Sequence, residues 1–272
     1  MMTMKGWARL LGGLLLAGAA ALPASADTAR IALLKAADTE ANGAYTRQRF
    51  VEVQRKPFDA ADSRRKLLLI GDSHAQDFLN GVAENGYLKG YQIRTRHIPT
   101  PCQIALPAPA QAFIEPKDAA VCAAADNLVQ AKDQLAEADL VILAARWKEW
   151  SAKLLPETIK ALALRPEQRV LVLGAKDFGR LSLRHYLKLS DAELLALRNK
   201  PDAGVTSVNQ LLRERLGGDV FIDPQPVLCG TEGCRLFTDD VQLITYDGGH
   251  LTAAGAKYVG KLLFNSTLLG KL

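Results

Sequence analysis

Residues 66–71 read KLLLIG and are followed at once by Asp72, Ser73 and His74. A short apolar run that ends in glycine is typical of a buried parallel strand. Residues 74–88 then carry apolar side chains at helical spacing, which predicts a helix directly after the strand. In parallel sheets, ligands and catalytic groups gather beyond the carboxyl ends of the strands. The sequence therefore places Ser73 where a functional hydroxyl is expected.

The same alternation of strand and helix continues on both sides of this unit. Further strands are predicted at 91–97, 138–144, 169–174 and 219–223, and helices at 117–137, 157–164, 208–216 and 252–263. A helical insertion is predicted at 178–203, where Ser190 and Glu193 match a capping box. Alternating elements of this kind favour the α/β class, as a doubly wound three-layer α/β/α sandwich with five strands.

Composition narrows the class of protein. The chain has 272 residues, of which 49% are hydrophobic and 23% charged, so it can bury one sizeable core and is not disordered. The net charge of +5 is spread along the chain and forms no basic stripe. We therefore expect no nucleic-acid partner.

The amino terminus has the pattern of a targeting segment. Lys5 and Arg9 precede an apolar run from Leu10 to Leu22, and Ala24-Ser25-Ala26 matches a cleavage site. The run is too short to span a bilayer comfortably. We predict a cleaved signal peptide over 1–26 and a periplasmic or secreted protein, with an uncleaved anchor as the alternative. Residues 27–65 then form an N-terminal extension, and 66–272 form the main domain.

Four cysteines fall into two local pairs, Cys102 with Cys122 and Cys229 with Cys234. An exported protein meets an oxidising compartment, so two local disulfides are the simplest interpretation, although four cysteines allow three connectivities. Zinc is disfavoured because neither pair has C-x2-C spacing and no histidines cluster nearby. We expect no metal site.

Two short motifs carry the candidate chemistry. A helix that starts after Ser73 offers free N–H groups to a negative oxygen, although Ser73 is equally explained as a helix cap. Near the other end of the chain, Asp247 and His250 stand three residues apart around two glycines, just before the last helix. That spacing can supply a base and its orienting acid, or a plain surface turn. Together the two motifs indicate a serine–histidine–aspartate arrangement.

The sequence around these motifs resembles that of the SGNH/GDSL hydrolase superfamily. GDSHA at 71–75, LAARW at 143–147, the pair Cys229/Cys234 and YDGGHLTAAGA at 246–256 are similar to one branch of it. That branch is the SGNH domain fused to the acyltransferase-3 (AT3) membrane domain of O-acetyltransferases that modify bacterial surface glycans. The resemblance covers about residues 60–265. Here a signal peptide is expected in place of the membrane domain.

The resemblance implies the SGNH hydrolase fold, with a flavodoxin-like parallel five-stranded sheet. It also implies that Ser73 is the nucleophile, His250 the general base and Asp247 its orienting acid. The Ser73 backbone N–H is expected in the oxyanion hole. No metal ion or organic cofactor is implied.

Two blocks depart from the superfamily pattern. The glycine expected after the second strand is absent from residues 97–102, and Ala145-Arg146-Trp147 replaces the G-x-N-D block after the third. The asparagine donor is therefore missing. Arg146 and Trp147 become candidates for oxyanion or substrate contacts, unless both pack beneath the helix that follows.

These residues predict an exported enzyme that moves an acyl group, most simply acetyl, on or off a cell-envelope polysaccharide or peptidoglycan. Its partners would be the glycan, an acyl donor and a possible membrane acyltransferase. Transferase and carbohydrate O-acetylesterase differ only in the acceptor, which the motifs do not encode. The alternative from another class is a catalytically inactive glycan-binding module on the same fold.

Overall fold

The structure is a computed structural model that describes residues 23–106 and 112–272. The strands are β1 (Arg65–Gly71), β2 (Tyr91–His97), β3 (Leu140–Ala144), β4 (Arg169–Leu173), β5 (Arg198–Asn199), β6 (Phe221–Ile222), β7 (Cys229–Gly230) and β8 (Gly233–Arg235). The helices are α1 (Pro23–Ala36), α2 (Thr39–Glu52), α3 (Ser73–Asn85), α4 (Ala119–Ala124), α5 (Lys132–Glu137), α6 (Glu149–Ala161), α7 (Leu183–Tyr186), α8 (Asp191–Ala196), α9 (Ala203–Leu216), α10 (Gln225–Leu228) and α11 (Ala253–Ser266), with 3-10 turns at Pro116–Asp118 and Leu268–Lys271.

Five strands form one parallel sheet in the order β2-β1-β3-β4-β6. This is the strand order of a flavodoxin-like sheet, so the predicted fold class is confirmed. The edge strand β6 is shorter than the predicted 219–223, because only Phe221 and Ile222 pair with β4. All five carboxyl ends point to one edge, where the loop residues that follow them can meet.

Strand β1 shows why the sheet is covered on both faces. Leu67 and Leu69 belong to one buried cluster, whereas Leu68 and Ile70 belong to the other. Successive strand side chains point to opposite faces, so a run of four apolar residues supplies both cores. The first cluster is closed by α2, α3 and α11, and the second by α5, α6 and α9. The three-layer sandwich follows from this pattern.

The first part of the N-terminal extension forms α1 and α2, and residues 53–64 connect α2 to β1 without a helix. Asp38 caps α2 by accepting the N–H groups of Glu40 and Ala41, and α2 packs on α3 with Phe50 fully buried. The predicted signal peptide as far as residue 22 lies outside the described residues, and its predicted cleavage point at Ala26 falls within α1. Over the described ranges, no helix has both the length and the apolar character needed to cross a bilayer.

The helix predicted over 117–137 is wrong, because α4 and α5 are separated by an irregular segment. Asp126 lies in that segment with its carboxylate fully buried. Arg55 approaches one of its oxygens to 3.0 Å, and Arg96 lies 3.3 Å away. A buried carboxylate needs such partners, and meeting them draws the chain out of helical geometry.

The region from 149 to 203 also differs from its prediction. Helix α6 begins at Glu149 rather than 157, and it tolerates Pro156 in its interior. The predicted insertion at 178–203 contains only the short helices α7 and α8, although the capping box of Ser190 and Glu193 is confirmed. Its end, β5, joins β8 and β7 in a small antiparallel sheet that the sequence did not indicate.

Candidate active site

Ser73 is the first residue of α3, directly beyond the carboxyl end of β1. The approach of β1 to β3 requires glycine at 71, because a Cβ there would lie 1.7 Å from the carbonyl oxygen of Ala144. The Asp72 carboxylate caps the helix by accepting the N–H of His74 at 2.9 Å. Within the described ranges the Ser73 N–H has no acceptor, as expected at a helix start. It therefore remains available to a bound oxyanion.

A tight turn presents His250 to the serine. Asp247 Oδ1 accepts the backbone N–H groups of Gly249 at 2.9 Å and His250 at 2.7 Å. Gly248 has φ +96°, and a Cβ there would lie 2.2 Å from the carbonyl oxygen of Gly179. The turn thus needs glycine for both its backbone angle and its contact with a neighbouring loop.

The three predicted side chains form one continuous chain of hydrogen-bond contacts. Ser73 Oγ lies 2.7 Å from His250 Nε2, and His250 Nδ1 lies 2.6 Å from Asp247 Oδ2. A carboxylate can only accept at Nδ1, so the Nδ1–H tautomer is favoured and Nε2 is left to accept the serine proton. The two motifs are 177 positions apart in sequence, and the fold alone joins them.

Asp247 is held in its ionised form. Partial burial raises its pKa, but hydrogen bonds from the His250 ring, the His250 N–H and the Gly249 N–H outweigh this. The pKa of Asp247 falls to about 2 as a result. The carboxylate is therefore charged at neutral pH.

Asp72, the other acid beside Ser73, has a different set of contacts. Besides the His74 N–H, it accepts the Thr100 hydroxyl at 2.7 Å and the Arg146 backbone N–H at 2.9 Å. These donors follow the carboxyl ends of β1, β2 and β3. Asp72 is 1% exposed, so it ties three strand ends together rather than serving as a proton acceptor at the surface.

The His250 ring lies close to two other rings. Tyr246 stacks on it at a centroid distance of 5.8 Å, and His74 lies 6.2 Å away on a tilted plane. Burial lowers the pKa of His74 well below its usual value, and the nearby positive charge of Lys176 acts in the same direction. His74 is therefore an uncharged ring beside His250.

A buried ion pair lies near His74. Lys176 Nζ and Asp77 Oδ2 are 2.6 Å apart, with side chains only 7% and 1% exposed. Burial raises the pKa of Asp77, and the Lys176 ammonium opposes that rise. The Leu251 N–H also approaches the Asp77 carboxylate, at 3.3 Å, so the pair supports the chain directly after His250.

Arg146 reaches the mouth of the site. Its side chain is 44% exposed, and its Nη1 lies 3.7 Å from Asp177 Oδ2. The guanidinium also lies over the backbone of Gly249, where a Cβ would be 3.6 Å from the same nitrogen. The structure therefore brings a cation close to the turn that carries His250, from the position where the superfamily asparagine is missing.

The structure places Trp147 in the core, which is the packing alternative to a substrate or oxyanion contact. Its side chain is 5% exposed, and its indole N–H donates to the carbonyl oxygen of Leu173 at 2.8 Å. The ring is therefore a core group whose only polar atom is already satisfied. Trp150, the next aromatic residue along, stacks on Phe113 at a centroid distance of 5.1 Å.

A cleft of about 680 Å³ opens beside Asp247 and His250. Its far wall comes from the loop after β4 and from the chain around β5, with Asp177, Arg180 and Lys200 among the lining residues. Sequence reasoning missed these three residues. The position of Asp177 and Arg180 after a predicted strand was the available signal, because loops at that edge of a parallel sheet form the site.

Both predicted cysteine pairs are disulfide-bonded, and no free cysteine remains in the part of the chain that the structure describes. Cys229–Cys234 joins β7 to β8 and touches Gln225, whose amide also brackets Asp177 by accepting its N–H and donating to its carbonyl oxygen. This disulfide therefore supports the cleft wall. Residues 23–106 and 112–272 contain no group of three histidine, cysteine or acidic side chains arranged to hold a metal ion.

Comparison with known proteins gives one family. A family model described as SGNH domain (fused to AT3 domains) matches residues 38–264, which is most of the chain. No curated protein matches the chain. The family match begins inside the predicted N-terminal extension, at the residue that caps α2.

Proposed function

We propose, from the premise that this chain belongs to the SGNH domain family, that it is a serine-dependent O-acyltransferase or carbohydrate O-acetylesterase of the cell envelope. The family indicates activity of the hydrolase or acyl-transferring type. One observation carries the finer assignment. Ser73 Oγ, the His250 ring and the Asp247 carboxylate are joined by contacts of 2.7 and 2.6 Å, as nucleophile activation by a general base requires.

In the first half-reaction, Ser73 Oγ attacks the carbonyl carbon of an acyl ester while His250 Nε2 takes the hydroxyl proton. Asp247 stabilises the imidazolium that forms. The tetrahedral intermediate then expels the alkoxide of the donor, which receives that proton from His250. An acyl ester on Ser73 and the free donor alcohol remain, so atoms and charge balance.

In the second half-reaction, the incoming group is a sugar hydroxyl or water. It gives its proton to His250 Nε2 and attacks the acyl carbon, and Ser73 leaves with that proton restored. If a sugar hydroxyl accepts the acyl group, the reaction is a transfer. If water accepts it, the reaction is a hydrolysis. The open cleft beside His250 supports a polar, sugar-sized acceptor, because it is lined largely by charged and backbone groups.

Arg146 is proposed to stabilise the oxyanion together with the Ser73 N–H. Its permanent charge lies at the mouth of the site, and its backbone N–H is already used by Asp72. The side chain is therefore the part of Arg146 that can act. This assignment supplies the donor that the missing asparagine block would have provided.

Arg146→Gln should lower kcat/KM for p-nitrophenyl acetate roughly tenfold, less than a buried donor would cost, because the side chain is 44% exposed. Arg146→Lys should recover part of the loss, since it keeps the charge. Thermal melting should barely change in either variant. Trp147→Phe provides the contrast: it removes the bond to Leu173 and should lower stability by about 1–3 kcal/mol. Unchanged turnover in Arg146→Gln would leave only backbone donors for the oxyanion.

The cellular setting is part of the same proposal. The N-terminal targeting pattern supports export to the periplasm or beyond, with cleavage near Ala26. The description of the family as fused to AT3 domains supports an acyl supply from a membrane acyltransferase. The substrate would then be an envelope polysaccharide or peptidoglycan.

Mass spectrometry of envelope glycans tests this proposal. Cells that carry Ser73→Ala in place of the parent gene should differ from parent cells in O-acetyl content. Lower content would identify a transferase, and higher content an esterase. Equal O-acetylation in both strains, with equal protein levels, would contradict the proposed function.

A further inference from the structure

The cleft beside the triad has a cationic rim. Arg146, Arg180 and Lys200 all line it, and Arg180 and Lys200 are exposed. Among residues 23–106 and 112–272, neither Arg180 nor Lys200 has an acidic side chain within ion-pair distance. Arg146 has one, Asp177, at 3.7 Å, which is longer than a hydrogen bond. Within these ranges, Arg180 and Lys200 are therefore two positive charges without a direct acidic partner, whereas Arg146 is paired with Asp177.

The acids in the same cleft are already bound to the protein itself. Asp177 Oδ1 accepts the N–H groups of Gly179 at 2.8 Å and Asp202 at 2.9 Å. Asp202 in turn caps α9 through two further N–H groups. Asp247 is held by its own turn and by His250. These hydrogen bonds fix the carboxylates in place, whereas Arg180 and Lys200 keep their charged groups free for a ligand.

The fold holds the two exposed cations together. A Cβ at Gly179 would lie 2.3 Å from the carbonyl oxygen of Lys200, so the two backbones are in contact. Asn199 Nδ2 also donates to the carbonyl oxygen of Arg180 at 2.7 Å. Arg180 and Lys200 thus extend from one braced corner, and that corner belongs to the cleft that contains His250.

We propose that this corner binds an anionic group on the sugar that exchanges its acyl group, either a carboxylate or a phosphate. Arginine offers a planar fork of donors to such an oxyanion, and lysine adds a compact charge. The inference rests on the proposed function, since it places the anionic group beside the hydroxyl that Ser73 and His250 serve. It names the class of substrate as an acidic glycan.

The probes are three forms of one sugar: galactose, galacturonate and galactose 6-phosphate. Binding is followed by amide shifts of ¹⁵N-labelled Ser73→Ala protein, whose glycines 179, 248 and 249 report on the cleft. We expect saturable shifts with at least one of the two acids, at roughly tenfold higher affinity than with galactose, and weakening with added salt. The acid that binds more tightly identifies the anionic group.

Arg180→Gln/Lys200→Gln in the same background should remove most of that preference. Lys257→Gln/Lys261→Gln is the matched control, because it removes two exposed charges on α11 that do not line the cleft. The control should bind as the Ser73→Ala protein does. Equal affinity for all three sugars, no saturable shift with any of them, or equal loss in the control would each overturn the proposal. Ester turnover by the parent protein is a separate measurement, so failure here is distinguishable from failure of the proposed function.

Discussion

His250→Ala should lower kcat/KM for p-nitrophenyl acetate by roughly 10⁴-fold, and Ser73→Ala should cost about as much. The reason is that the two atoms act as one unit across a 2.7 Å contact, so losing either removes the activated nucleophile. Stability should change little, because both residues are only partly buried. Imidazole added to the buffer should restore part of the His250→Ala rate but none of the Ser73→Ala rate.

Asp247→Asn should lose less than His250→Ala, because the acid orients the base and stabilises its charged form without transferring the proton. The pKa of Asp247 is about 2, so the carboxylate is ionised above about pH 4. The parent and Asp247→Asn rates should therefore be compared near neutral pH, where the carboxylate of the parent is fully ionised. Parent-like activity in Asp247→Asn would assign the orienting role to another group.

Lys176→Met should lower the free energy of unfolding by about 3–5 kcal/mol, because it leaves the Asp77 charge buried without its partner. Urea unfolding followed by circular dichroism measures the change. The double variant Asp77→Leu/Lys176→Met should recover most of the loss, since a buried ion pair can be exchanged for apolar groups at little cost.

An exposed pair gives the control for this effect. Lys153 and Glu149 are also 2.6 Å apart, but their side chains are 52% and 67% exposed. Lys153→Met should therefore cost less than about 1 kcal/mol. If Lys176→Met cost no more than Lys153→Met, or if the double variant were the least stable of the three, the pair at Asp77 would not be a buried charge pair of the expected kind.

Local sequence patterns predicted the structure correctly where the deciding signal lies within a few residues. The run from Leu67 to Ile70 has no polar break, which is typical of a strand covered on both faces, and its alternating residues do enter two cores. The glycines at 71 and 248 stand where the backbone comes within contact distance of another strand or loop. The two cysteine pairs are close in sequence, so loop closure favours the local bonds that the structure contains.

Sequence patterns failed where the residue that decides the local structure is distant in the chain. The helix predicted over 117–137 is broken at Asp126, whose arginine partners stand 71 and 30 residues away. The strands β5, β7 and β8 have two or three residues each, too few for a period to be detected. Trp147 follows a buried strand, and a residue there can turn to solvent or to the core.

The sequence by itself therefore determined the layered α/β class and the identity of Ser73, Asp247 and His250 as candidates. The fold class depends on the spacing of apolar side chains along the chain. The candidate residues depend on residue types that lie within one turn. Tertiary structure alone decided that Lys176 meets Asp77, 99 positions away, that Arg146 reaches the cleft while Trp147 does not, and that Arg180 and Lys200 share one corner. Those outcomes are decided by which distant groups must satisfy a buried charge, a donor or a carbonyl oxygen, and no local pattern encodes the partner.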